Sequence, residues 1–145
     1  MNEPDEGLGD VLNHITMLLG VVTREYGAPG ALSYSRMRLL GTLEEVQPAT
    51  QHELAQAMLV SDAAVSRMLT ALVPEGLVTV EPDPEHARRR LVRLTEKGAA
   101  QFHASSTDYA TQLEKALTAR DFPYERYLRD SIALRDFLAT AAGRG

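Results

Sequence analysis

At 145 residues, 44% hydrophobic and 24% charged, the chain has material for one small hydrophobic core and too little for several independent domains. The absence of cysteine excludes disulfides, thiolate zinc sites and thiol-based redox switches, and no run of about 20 apolar residues is present to span a membrane. The opening Asn2-Glu3-Pro4-Asp5-Glu6 lacks the basic start and apolar centre of a signal peptide, so a cytoplasmic location is expected.

In chain order, Leu8, Val11, Leu12, Ile15, Leu18, Leu19, Val22 and Tyr26 recur at helical spacing and predict a first helix from about Asp5 to Tyr26, broken by Gly27-Ala28-Pro29-Gly30. Ser33 is placed to cap a second helix whose buried side is Tyr34, Met37, Leu40 and Leu43, ending near Val46 ahead of Pro48. Thr50 and Glu53 form a Thr-x-x-Glu capping box, so a third helix starts there and carries Leu54, Ala55 and Met58 inward. Ser61 caps a fourth helix in which Val65, Met68, Leu69, Leu72 and Val73 point inward. Gly76 supplies its C-cap, with Pro74 shortening the last turn. Leu77 to Glu81 and Arg90 to Leu94 predict two strands around a tip from Pro82 to Arg89. Thr95 caps a fifth helix that buries Ala99, Phe102, Tyr109, Leu113 and Leu117, and Asp121 starts a last one with Tyr124, Leu128, Ile132 and Leu138 inward.

Two short helices joined by a tight turn and followed by a basic hairpin describe a winged helix-turn-helix reader of DNA. The net charge of −5 does not contradict this, because phosphate contact depends on the field within a Debye length of about 8 Å. From Arg88 to Lys97 there are five basic side chains against the one acid Glu96, while Asp108, Glu114, Asp121, Glu125, Asp130 and Asp136 crowd the C-terminal third. On the fourth helix the outward face is Asp62, Ala63, Ser66, Arg67 and Thr70, short, polar or cationic groups that let a helix lie close to base edges. In an isolated helix the same face is an ordinary solvated one; the neighbouring hairpin turns the reading toward DNA.

The expected interface is therefore Ser61, Asp62, Ala63, Ser66, Arg67 and Thr70, joined by Arg88, Arg89 and Arg90 of the hairpin and by Ser35, Arg36, Arg38, Thr50 and Gln51 at the backbone. Arg67 has two readings: a phosphate or guanine contact, or a surface ion pair with Asp62 or Glu75. One of Arg89 and Arg90 is a candidate brace for the hairpin.

The fold class is mainly α with a small β-hairpin wing: a winged helix-turn-helix over residues 33–98, flanked by dimerisation helices over 1–32 and 99–145 in one compact domain. The flanking helices carry apolar stripes that a winged core of about 70 residues cannot cover, so a homodimer is expected. A two-fold dimer also sets two recognition helices about 34 Å apart, one turn of DNA.

In the order of these elements, and in Glu53-Leu54-Ala55 leading to Val60-Ser61, Val65-Ser66-Arg67, Glu75-Gly76-Leu77-Val78 and Leu91-Val92-Arg93-Leu94-Thr95-Glu96-Lys97-Gly98, the chain resembles the MarR family of transcriptional regulators along nearly its whole length. The family's wing pattern D-x-R-x-x-x-V-x-L-T, laid on Thr95, matches Arg88, Val92, Leu94 and Thr95. The resemblance implies a homodimer that binds a short palindromic double-stranded operator as repressor or activator, is often released by a small aromatic or anionic effector, and sends Arg88 to the minor groove. Two departures stand out. His86 occupies the place of the wing Asp, with Asp83 or Glu85 as substitute carboxylates, and Ala87 replaces a frequent Arg; Leu59 replaces the glycine usual in the turn.

An effector pocket is expected between the first, second and fifth helices, where His14, Leu18, Tyr34, Met37 and Phe102 are the candidates, each also suited to plain core. The four histidines are scattered without metal-ligand spacing, so neither metal nor cofactor is expected. No Gly-rich phosphate loop, serine nucleophile motif or paired carboxylates speak for an enzyme. The alternative function is a winged-helix protein-interaction module that has lost operator binding, motivated by His86, Ala87, Leu59 and the acidic total.

Overall fold

A computed structural model describes residues 7–26 and 29–143, so the expected helix start at Asp5 and the break at Gly27-Ala28 lie outside the described residues. The elements run α1 (Leu8–Tyr26), α2 (Tyr34–Val46), α3 (Gln51–Met58), α4 (Asp62–Leu72), β1 (Val78–Pro82), β2 (Arg90–Leu94), α5 (Glu96–Thr118) and α6 (Tyr124–Ala141). They fall into two units, Met1–Tyr109 and Ala110–Gly145.

In the first unit, the expected caps all form. Ser33 accepts the Arg36 amide, Ser61 accepts the Ala64 amide, and Thr50 and Glu53 exchange side-chain to backbone bonds as a complete capping box. Around α2 lies the core: Leu39, Leu40 and Leu43 meet Leu54 of α3, Val65 and Leu72 of α4, and Leu77, Val78 and Val92 at the hairpin root, all fully buried. Leu39 falls outside the single stripe expected for α2, because this helix is covered on more than one face while Tyr34 at its start is only half-buried.

Leu59 closes α3 in the left-handed region, φ 56° and ψ 45°, with its side chain 91% exposed. α4 ends at Leu72, before Pro74, and Gly76 at φ 74° turns the chain so that the Leu77 amide returns to the Leu72 carbonyl at 3.2 Å. On α4, Val65, Leu69 and Leu72 are buried as expected, whereas Val73, past the helix end, is 41% exposed.

The two strands pair antiparallel with Val78 opposite Leu94, Val80 opposite Val92 and Pro82 opposite Arg90, which starts and ends β1 one residue later than expected. Val92 also exchanges backbone bonds with Ala49, at 2.7 and 3.3 Å, joining the hairpin root to the residue before the α3 cap. Thr95 accepts the Gly98 amide at 2.9 Å and opens α5. Gly98 lies so close to the chain that a Cβ there would stand 2.0 Å from the Leu77 carbonyl oxygen. Phe102 lays its ring over Gly41, and Ser105 accepts the Leu32 amide at 3.2 Å. Ala99, Phe102 and Tyr109 are half-buried rather than fully buried, since the tightest contacts of α5 belong to Gly98 and Ser105.

In the second unit, α6 begins at Tyr124 rather than at Asp121. Asp121 sits at φ 55°, outside helical geometry, and Pro123 precedes the first turn. Phe122 and Tyr127 meet edge to face at 5.3 Å. Leu128, Ile132 and Leu138, expected inward, are 40–50% exposed, and α6 buries no residue. α1 shows the same property: Leu8, Met17 and Leu18 are exposed and Thr23 is its one buried side chain among the described residues. No helix among the described residues is long and apolar enough to cross a membrane.

Candidate nucleic-acid interface

The short side chains of α4 stand where the periodicity puts them. Asp62, Ala63, Ser66, Arg67 and Thr70 are all exposed, on the side opposite Val65, Leu69 and Leu72. Thr70 spends its hydroxyl hydrogen on the Ser66 carbonyl at 2.9 Å, which leaves its oxygen lone pairs and methyl outward. At the start of the helix, Gln51 Nε2 donates to the Asp62 carbonyl at 3.2 Å, and His52 Nδ1 lies 3.0 Å from the Asp62 carboxylate. The first turns of α3 and α4 are thereby joined, and Thr50, Gln51, Ser61 and Asp62 come together at one end of the helix pair. Neither His52 nor Glu53 was among the expected interface residues; the capping-box motif marks Glu53 as a cap and gives no sign of its second role.

In the hairpin, the three consecutive arginines have three different surroundings. Arg88 makes no hydrogen bond or ion pair among the described residues and is exposed. Arg89 Nη2 donates to Glu53 Oε1 at 3.1 Å, and its Nε lies 3.8 Å from Asp83 Oδ2. Arg90 Nη2 donates to the Val80 carbonyl at 3.2 Å, a brace across the hairpin. Of the two carboxylates that stood to replace the missing wing Asp, Asp83 serves Arg89 and also accepts the Glu85 amide at 2.9 Å. Arg88 is left unoriented by either.

Arg36, one of the expected backbone contacts, is engaged within the protein. Its guanidinium forms a bidentate pair with Glu75, at 2.7 and 2.8 Å, so the charge is matched within the protein and the Glu75 carboxyl is held below the ordinary glutamate value, chiefly by those hydrogen bonds. With Glu75 occupied and Asp62 taken by His52, Arg67 has neither of the ion-pair partners considered for it. Arg38 donates to the Met58 carbonyl at 2.6 Å, at the C-terminal end of α3 where a cation complements the helix dipole. Ser35 is exposed beside Arg36.

The Glu53 carboxyl is likewise depressed, first by the Thr50 amide, then by the Thr50 hydroxyl, with Arg89 and His52 adding to it. Three acids beside α4 and the wing have partners inside the protein: Glu53 and Asp83 lie against Arg89, and Asp62 lies against His52. Arg67 and Arg88 are exposed and have no hydrogen-bond or ion-pair partner among the described residues.

The expected effector set does not assemble. A cavity of about 500 Å³ lies between α1 and the start of α2, lined by Met17, Val21, Thr23, Arg24 and Tyr34 among others. Of the five residues expected there, only Tyr34 lines it. Met37 is consumed by the core, Phe102 is committed to the space over Gly41, and His14 and Leu18 are exposed on α1 away from the lining. Among the described residues no three His, Asp or Glu side chains are grouped to hold a metal ion.

A family model described as the MarR family matches residues 32–89, the stretch from the α2 cap to the hairpin tip. The chain is 30% identical over 125 residues to the multiple antibiotic resistance protein MarR of Escherichia coli (strain K12), spanning 83% of this chain and 87% of that protein. A crystal structure of a mutant MarR from E. coli is similar in fold, with a TM-score of 0.80 at 26% identity over 94% of this chain and 99% of the other. The transcriptional repressor CouR, solved bound to a 23-mer DNA duplex, gives a TM-score of 0.75 at 29% identity over 98% of this chain and 96% of the other. Helix-turn-helix, hairpin wing and flanking helices are shared with these proteins over nearly the full length, and the chain belongs to the MarR family, a family of transcriptional regulators rather than enzymes.

Proposed function

We propose that the protein regulates transcription by binding a palindromic operator as a homodimer, with α4 in the major groove and the hairpin along the adjacent backbone or minor groove. The observation that carries this is the pairing of an exposed, short-chained α4 face with Arg67 and Arg88, which have no partner among the described residues, while Glu53 and Asp83 are engaged by Arg89. The duplex bound by CouR, a relative of similar fold, supports it. In this reading Ser66, Arg67 and Thr70 face base edges, Ser35, Thr50, Gln51 and Ser61 meet the backbone, and Asp62 and Ala63 line the approach at the start of the helix. Arg90 acts as a brace. α1 and α6 each carry exposed apolar residues suited to contact with a second copy of the chain, which leaves residues 33–98 as the DNA-binding part.

A small anionic ligand fits the α1–α2 cavity better than the expected set, because Arg24 supplies charge there and Thr23 and Tyr34 supply polar groups beside Met17 and Val21. Selection of genomic fragments by the purified protein tests the proposal. Enrichment of a short inverted repeat, bound in a salt-sensitive manner, is expected; no enrichment would favour the interaction module instead.

A further inference from the structure

Arg89 has a role that the consecutive arginines conceal. Tip residues from Asp83 to Arg89 are held to one another by backbone bonds, Asp83 to Arg89 at 2.8 Å, Arg89 to His86 at 2.8 Å and His86 to Asp83 at 3.3 Å. Among the described residues, the ion pair that ties this tip to a helix is Arg89 with Glu53. Glu53 is fixed from the other side, since its second oxygen accepts the Thr50 amide at 2.8 Å within the capping box. Asp83, with its side chain only 11% exposed, completes the pair of carboxylates around the guanidinium.

We propose that Arg89 is a positioning residue, which holds the hairpin tip on the N-terminus of α3 through Glu53 and Asp83 so that Arg88 is presented to DNA, and that Arg89 is not itself a phosphate contact. A phosphate contact needs a guanidinium whose charge is available, and that of Arg89 is matched by two carboxylates, whereas that of Arg88 is not. The same anchor carries Thr50 and Gln51 at the start of α3, so this ion pair holds the hairpin tip to the helix pair, while the Val92–Ala49 bonds hold the root. An exposed ion pair of this kind adds little to overall stability, and its effect belongs in DNA affinity and local order.

This inference rests on the DNA-binding reading, and the test separates the two. Full-length wild type, Glu53→Gln, Arg89→Gln, the double variant and Arg89→Lys are titrated against a selected duplex over a range of salt. Glutamine at 53 keeps the capping box while removing the charge. The proposal expects both single variants to bind about tenfold more weakly with the salt slope unchanged, the double variant to be no worse than either single one, and lysine at 89 to recover part of the loss. Were Arg89 a phosphate contact, Arg89→Gln would flatten the slope by about 2 per dimer, and Glu53→Gln would bind more tightly because it frees the guanidinium and removes a negative charge. Either result overturns the proposal, as do unchanged affinities in both variants. Amide exchange of Asp83 and Arg89 in the DNA-free protein provides the independent readout: severalfold faster exchange in both variants is expected, and unchanged rates contradict the brace even if the wild type binds no DNA.

Discussion

In the proposed reading recognition rests on Arg67 and Arg88, since Arg36 is engaged by Glu75, Arg89 by Glu53 and Asp83, and Arg90 by the Val80 carbonyl. Arg67→Ala is expected to cost about 1–3 kcal/mol on the preferred operator and less on random DNA, measured by fluorescence anisotropy. An equal loss on both sequences would reassign Arg67 to the backbone. Leu59 is under backbone strain, with a left-handed backbone and a side chain that buries almost nothing. Left-handed geometry costs a leucine roughly 1–2 kcal/mol, more than the extra chain entropy a glycine loses on folding, so Leu59→Gly is expected to raise Tm by a few degrees. A lower Tm would mean that the Leu59 side chain makes a contact that outweighs the backbone strain.

At the scale of elements, the start of α5 locks the wing root to the core. Gly98 allows the helix to meet the Leu77 carbonyl, and Thr95 both accepts the Gly98 amide and donates to the Gly76 carbonyl at 2.6 Å. Gly98→Ala forces these backbones apart and is expected to cost about 1–3 kcal/mol, lowering Tm by roughly 5–10 °C in calorimetry. A Tm within a degree of the wild type would show that the contact yields freely. The elements most legible in the sequence are those fixed by local chemistry: Ser33, Thr50 with Glu53, and Ser61 mark helix starts because each bond closes within three residues. The start of α6 was not legible, since nothing local shows that Asp121 adopts left-handed geometry. For the candidate site the limit is sequence separation. The α4 face follows from periodicity, but Arg36 meets Glu75 across 39 residues and Arg89 meets Glu53 across 36, pairs that no periodic pattern contains. The effector set is hard to read for a related reason: Met37 and Phe102 fit a pocket or a core equally well by type, and it is the packing over Gly41 and around α2 that shows where they lie.

For the whole molecule, two properties call for a partner. Exposed Leu8, Met17 and Leu18 on α1, and Leu128, Ile132, Phe137 and Leu138 on α6, are too many large apolar groups for a stable free surface. A dimer burying about 2,000 Å² or more is expected, and sedimentation at micromolar concentration checks it, a well-folded monomer being the contrary result. The second property is the uneven charge, an acidic total of −5 with a cationic wing, which makes DNA affinity depend on few guanidinium groups. The most direct measurement is a salt titration of wild type and Arg88→Ala on one selected duplex and one scrambled duplex. The account predicts salt-sensitive binding by the wild type, tighter on the selected duplex, with the slope of log K against log salt flattened by about 2 in Arg88→Ala as two phosphate contacts per dimer are lost. An unchanged slope would remove Arg88 from the interface, and wild-type binding that ignores both salt and sequence would contradict the account as a whole.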